Sequence, residues 1–103
     1  MAYNESYFEN KLRLGVKRIG GYCLKFVSPG FMGVPDRIIL LPGARVLFAE
    51  MKAPGKTERK RQWYVQSLLR KLGFTVYSSV DSLEKIGAIL DECRRLIGEE
   101  VTK

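Results

Sequence analysis

Between Gly33 and Lys52 two short apolar runs meet across Pro42-Gly43, and each carries charge at its end away from that turn. Arg37-Ile38-Ile39-Leu40-Leu41 follows Asp36, and Val46-Leu47-Phe48-Ala49 runs into Glu50-Met51-Lys52. The pattern predicts strands over 36–41 and 45–51, joined by a hairpin turn at Leu41-Pro42-Gly43-Ala44. Side chains alternate along a strand, so Val46, Phe48, Glu50 and Lys52 share one face and Leu47, Ala49 and Met51 the other. Both faces are apolar, which marks a central strand with Glu50 and Lys52 emerging at its far end. Charges set into buried strand are costly unless they are paired or bound to a metal. The bland alternative is an exposed hairpin with incidental charges.

An absence narrows the chemistry further: the chain has no histidine. That removes His general bases, His-metal sites and any Ser-His-Asp or Cys-His arrangement. Two cysteines do not make a four-thiolate zinc site. Cys23 lies in a strand-like run and Cys93 on an apolar helical stripe, so both are expected to be buried free thiols, as in a reducing compartment. The formal net charge of +7 points to a polyanionic partner, with nucleic acid the natural candidate. A basic surface kept for solubility is the alternative. Lys52, Lys56, Arg59, Lys60 and Arg61 crowd around the Glu-x-Lys end, and Lys11, Arg13, Lys17 and Arg18 fall on the first helix. Chemistry on phosphates would therefore fall to carboxylates, lysine and a hard cation.

A length of 103 residues suits one domain, expected over 1–103. No apolar run approaches the ~20 residues of a membrane span, and Met1-Ala2-Tyr3-Asn4-Glu5 does not read as a signal peptide. A cytoplasmic location is expected, in the host if the chain is viral. Phe8, Leu12, Val16 and Ile19 form the stripe of a helix over 4–17, stopped by Gly20-Gly21. A strand over 22–27 leads to the glycine-rich loop 28–33, and the two strands of the hairpin follow. A second helix is expected over 58–72, capped by Gly73, then a strand over 74–78. Asp81 or Ser82 caps a last helix whose stripe is Leu83, Ile86, Leu90, Cys93 and Ile97. The order is αβββαβα.

An acid on one strand and Glu-x-Lys on the next resembles the signature of the PD-(D/E)xK nuclease superfamily. Gly20-Gly21, Lys25-Phe26, Ser28-Pro29-Gly30, Gly33-x-Pro35-Asp36, Glu50-x-Lys52-Ala53-Pro54-Gly55 and Gln62, in that order, resemble the VRR-NUC (virus-type replication-repair nuclease) family over about residues 5–77. The resemblance implies an α/β fold with a restriction-endonuclease-like core, a mixed central sheet flanked by helices. It implies a metal-dependent endonuclease that hydrolyses DNA phosphodiesters.

Asp36 and Glu50 offer the oxygen ligands that Mg²⁺ or Mn²⁺ prefers, and the resemblance adds the backbone carbonyl of Met51. Lys52, on the same strand face as Glu50, suits water positioning and stabilisation of charge on phosphorus better than a base role. A salt bridge without catalytic duty is its alternative. In the superfamily a further acid comes from the first helix, and Glu5 and Glu9 both border its buried stripe. Spacing does not choose between them, and a looser resemblance to archaeal junction resolvases favours Glu9. Gln62 faces inward on its helix, and the resemblance has it contact the active-site lysine or a metal-associated water.

The loop delivering Asp36 should border the site, with Ser28, Gly30 and Gly33 near a phosphate and Lys25 on the phosphate backbone. Lys56, Arg59, Lys60 and Arg61 are further nucleic-acid contacts. Trp63 and Tyr64 read as core or interface residues or as stacking platforms for bases. Viral members of the family cut four-way junctions as dimers. That implies a homodimer resolving Holliday-junction-like DNA, with Tyr3, Tyr7, Phe31, Met32, Trp63 and Tyr64 as surplus apolar surface. The competing readings are a monomeric flap or single-strand nuclease and a degenerate DNA-binding module. A restriction or homing enzyme would need a sequence-reading element, and none is evident.

Overall fold

The computed structural model of the chain describes residues 4–102, so Tyr3 lies outside the described residues. The elements are α1 (Glu5–Arg18), β1 (Tyr22–Lys25), β2 (Arg37–Leu41), β3 (Arg45–Met51), α2 (Lys60–Lys71), β4 (Thr75–Val80) and α3 (Leu83–Thr102). The four strands form one sheet in the order β1-β2-β3-β4. The first two pairings are antiparallel and β3–β4 is parallel, so the sheet is mixed as expected. From Leu47 to Met51, central β3 is buried on both faces, as its doubly apolar pattern requires.

One face of the sheet carries α1 and α3. Phe8, Leu12 and Val16 from α1 meet Leu47, Ala49 and Met51 of β3 and Ile86, Ile89 and Cys93 of α3. Burial of this apolar surface is the main driving force of the fold. The other face carries α2, and Phe48 packs there between Phe26 and Phe74, with ring centroids 5.6 and 5.4 Å away. Both cysteines are buried and free.

The hairpin turns through Pro42, Gly43 and Ala44, with Gly43 at φ +83° and Ala44 at +61°. Asn4 caps α1 by accepting from the Tyr7 N–H at 2.9 Å. Ser82, one of the two caps expected for α3, accepts from the Lys85 N–H at 3.2 Å.

Several details differ from expectation. β1 ends at Lys25, although the Phe26 N–H still donates to the Asp36 carbonyl at 2.9 Å. α2 starts at Lys60, because the Glu58 carboxylate turns inward instead of joining the helix. β4 begins at Thr75 and continues to Val80, because the Lys52 N–H donates to the Val80 carbonyl at 3.1 Å and extends the ladder. The α3 stripe omits Leu83, which is exposed in the first turn, and includes Ile89, which is buried.

Candidate active site

Asp36 sits one residue before β2, where the chain leaves the glycine-rich loop. Its Oδ1 accepts from the Met51 N–H at 3.0 Å, so the carboxylate lies against the end of β3. Glu50 is buried on the face of β3 that looks toward α2. The Lys52 Nζ stands 3.5 Å from Glu50 Oε2. Gln62, in the first turn of α2, joins these groups. Its Oε1 accepts from Lys52 Nζ at 3.1 Å and from the Arg59 N–H at 2.8 Å, and its Nε2 donates to Glu50 Oε2 at 3.3 Å. The amide is oriented by its partners: the acceptor faces two donors and the donor faces a carboxylate. One side chain thus caps the helix, aims the lysine and holds one oxygen of Glu50.

The other oxygen of Glu50 is unmatched. Oε1 is buried and has no hydrogen-bond partner. Burial pushes the Glu50 carboxyl up to about 7, with the neighbouring Asp36 adding to that shift and Lys52 opposing it. Burial likewise raises Asp36 to about 6 against the hydrogen bond from Met51, with further upward pushes from Glu9 and Glu5. Two desolvated carboxylates, one with an orphaned oxygen, are poorly served by the protein alone. An oxygen-rich, electron-hard donor set of this kind fits a divalent cation such as Mg²⁺ or Mn²⁺.

The two acids of α1 both gather at Asp36, in a group that does not include Glu50. Glu5, Glu9 and Asp36 each offer a carboxylate oxygen, all within 4.8 Å of one another. Glu9 also pairs with Arg37 Nη2 at 3.4 Å. Arg37 had no role in the sequence reading. Its signal is available in hindsight, since β2 alternates inward at Arg37, Ile39 and Leu41, and a charge at an inward position demands a partner.

The basic residues divide. Lys56, Arg59, Lys60 and Arg61 are exposed before and at the start of α2, beside Gln62, whereas Lys25 is exposed at the end of β1. Ser28 is half-buried and accepts, through its carbonyl, from the Phe31 N–H at 3.1 Å. Gly30 faces open space. Gly33 has a packing reason of its own: at φ +93°, a Cβ there would come within 2.7 Å of Arg61 and 3.1 Å of Val65. Trp63 and Tyr64 are exposed, so neither belongs to the core.

A second buried acid escaped the sequence reading altogether. Glu58 accepts from the Ser79 N–H at 2.9 Å, from the Ser79 hydroxyl and from Gln66 Nε2 at 3.1 Å. Gln66 Oε1 in turn accepts from the Ser78 hydroxyl, and Arg70 donates to Ser78 Oγ at 2.8 Å. The network is made possible by a bulge: Ala49 pairs with Tyr77 but Met51 with Val80, and Ser79 takes φ +49°.

No protein-family model matches the chain. A solved structure described as a "VRR_NUC domain" shares its fold, with a TM-score of 0.77 and 23% identity over 84% of this chain and 94% of that one. "Putative nuclease p44" of Acyrthosiphon pisum secondary endosymbiont phage 1 is 43% identical over 72 residues, 70% of this chain and 77% of that protein. With that relative sharing most of its length and the solved domain sharing the fold, the chain belongs to the VRR-NUC family.

Proposed function

We propose that this chain is a single-domain, metal-dependent endonuclease that hydrolyses DNA phosphodiesters. The observation that carries the reading is the buried, unpartnered Oε1 of Glu50 beside a lysine aimed by Gln62. Asp36, Glu50, the Met51 carbonyl and one of Glu5 and Glu9 would hold Mg²⁺ or Mn²⁺. When bound, the cation supplies Lewis-acid charge to the phosphate and to the attacking water. Lys52 presents a compact ammonium, fixed in direction by Gln62, to the charge that develops on the phosphoryl oxygens. Gln62 acts as the positioning residue. Lys25, Ser28, Gly30, Gly33, Lys56, Arg59, Lys60 and Arg61 line the approach, where the exposed cations offset repulsion between the carboxylates and DNA.

The preferred substrate in this reading is branched DNA, and the acting unit is a homodimer. A four-way junction presents two symmetric scissile phosphates, and closed two-fold symmetry sets two identical sites on them. Tyr7 packs onto the core and is not surplus, but Tyr22 and Leu24 on edge strand β1, with Val27 just beyond it, leave apolar surface for a second copy. The test pairs light scattering at micromolar concentration with cleavage of cruciform plasmid in Mg²⁺ and in excess chelator. A dimer that cuts the cruciform by paired nicks, only with metal, is expected. A strict monomer that nicks flaps and spares cruciforms defeats the junction reading, and cutting in chelator defeats the metal reading.

A further inference from the structure

The glycine-rich loop is fastened to α2 by a cation that lies over two rings. Arg61 Nε donates to the Met32 carbonyl at 2.8 Å, while its guanidinium carbon lies 4.8 Å from the Phe31 ring centre and 5.2 Å from that of Tyr64. Gly33 lets the loop press close enough for this contact. The stack is therefore built before any ligand arrives. Yet both rings remain in solvent, Phe31 at 43% exposure and Tyr64 at 54%, with Met32 next to them at 75%. Exposed aromatics held rigidly around an arginine present flat π surface at little further ordering cost.

The position of this stack matters as much as its composition. A hollow of about 140 Å³ opens beside it, lined by Met32, Gly33, Arg59, Arg61 and Gln62. Gln62 is the same side chain that reaches Glu50 and Lys52. One residue thus separates the hollow from the proposed reaction centre. The hollow is too small for a helix, whose diameter is about 10 Å.

Charge decides between occupants. Lys56, Arg59, Lys60 and Arg61 are exposed here, and the one acid in that segment, Glu58, is turned into the protein. A second copy docking through the same patch would set like charges against each other, since a two-fold contact is made by the same surface on both sides. DNA meets no such penalty. Base–aromatic stacking tolerates any sequence, because every base has a π face.

We propose that Phe31, Arg61 and Tyr64 form a stacking platform for an unpaired nucleobase next to the scissile phosphate, with Arg59 and Lys60 taking the adjacent phosphates. The proposal deepens the nuclease reading and rests on it for the location of the cut. It narrows the substrate class: branched DNA in which a nucleotide beside the cut is unpaired at the branch.

The test uses the full-length chain in Ca²⁺ and DNA carrying 2-aminopurine at an unpaired position beside a branch. Binding is expected to quench the probe. Tyr64→Ala and Phe31→Ala should each abolish most of the quench and weaken binding of that DNA by about ten-fold, the loss typical of one stacked base. Affinity for fully paired duplex should change less than about two-fold, and Tyr64→Trp should restore both quench and affinity. Equal loss on paired duplex, or no quench by the wild-type chain, overturns the platform. So does a variant that alters only the mass seen by light scattering, which would make the patch an interface between copies. Cutting without quench refutes the platform alone, whereas quench without cutting in Mg²⁺ refutes the nuclease reading alone.

Discussion

Glu50 and Glu58 stand eight positions apart, are buried alike at 4% and 5% exposure, and differ in nearly everything else. Burial raises both carboxyl groups. At Glu58 the Ser79 hydroxyl, the Gln66 amide and the Ser79 N–H outweigh it, and the carboxyl settles below its ordinary value. At Glu50 burial is joined by the nearby Asp36, and Lys52 with Gln62 satisfies only one oxygen. The fold thus completes one acid and leaves the other unfinished. A protein that can supply three donors to Glu58 is not short of donors, and on the proposed function the unpartnered Oε1 of Glu50 is where the cation would bind. On the proposed function, that contrast separates a carboxylate used for stability from one used for chemistry.

The largest effect that could break the contrast lies at Glu50. Glu50→Gln should reduce cleavage by at least about 10³-fold, the scale of several kcal/mol of charge stabilisation, while metal-free thermal stability stays level or rises. Wild-type cleavage in that variant would make Glu50 a second structural acid. Next comes Lys52. Lys52→Ala should lower turnover about 10²-fold, and Lys52→Arg should not restore it, since a planar fork cannot take the place that Gln62 gives a compact ammonium. Near-normal turnover with arginine would reduce the lysine to generic positive charge.

Glu58→Ala probes the other side. It leaves the Ser79 N–H, the Ser79 hydroxyl and the Gln66 amide without their acceptor, a loss of about 1–3 kcal/mol. Thermal denaturation should show a Tm about 4–8 °C lower per kcal/mol, with cleavage per folded molecule retained. If activity falls and stability does not, the assignments of the two acids must be exchanged.

The smallest effect is in pH. A carboxyl whose pKa is raised on folding favours the folded state while protonated. That contribution is complete below the unfolded value and fades as pH climbs through the folded one. For Asp36 the window runs from 3.8 to about 6, and for Glu50 from 4.5 to about 7. Glu58 acts with the opposite sign: its contribution holds above 4.5 and is lost as pH falls through its lowered folded value. Metal-free protein should therefore lose a few degrees of Tm between about pH 5 and pH 8, and Mn²⁺ should restore them at the upper end. Scanning fluorimetry reads this directly. A flat profile that Mn²⁺ does not move would mean that neither carboxyl is strained by burial.

Much of this arrangement was legible because strong local patterns carried it. The alternation around Pro42-Gly43 located β2, β3 and the three charged positions, and β3 spans the expected residues. Helical spacing found α1 and most of α3. Glu58 falls at the start of the expected helix, and nothing local marks it as buried, because its partners Ser79 and Gln66 are distant in sequence and one is reached only through a bulge. Arg37 was passed over because its partner, Glu9, lies on a different element. Local periodicity reports which face is buried. It does not report which polar groups meet once the faces close.

The proposed centre draws on α1 for Glu5 or Glu9, on the loop before β2 for Asp36, on β3 for Glu50 and Lys52, and on α2 for Gln62. No single element, and no adjacent pair, carries it whole. During synthesis the carboxylates and the lysine remain scattered along an open chain until the helices close on both sides of the sheet. A nascent or half-digested copy would thus be harmless to the DNA around it, and cutting power would appear only with the finished molecule.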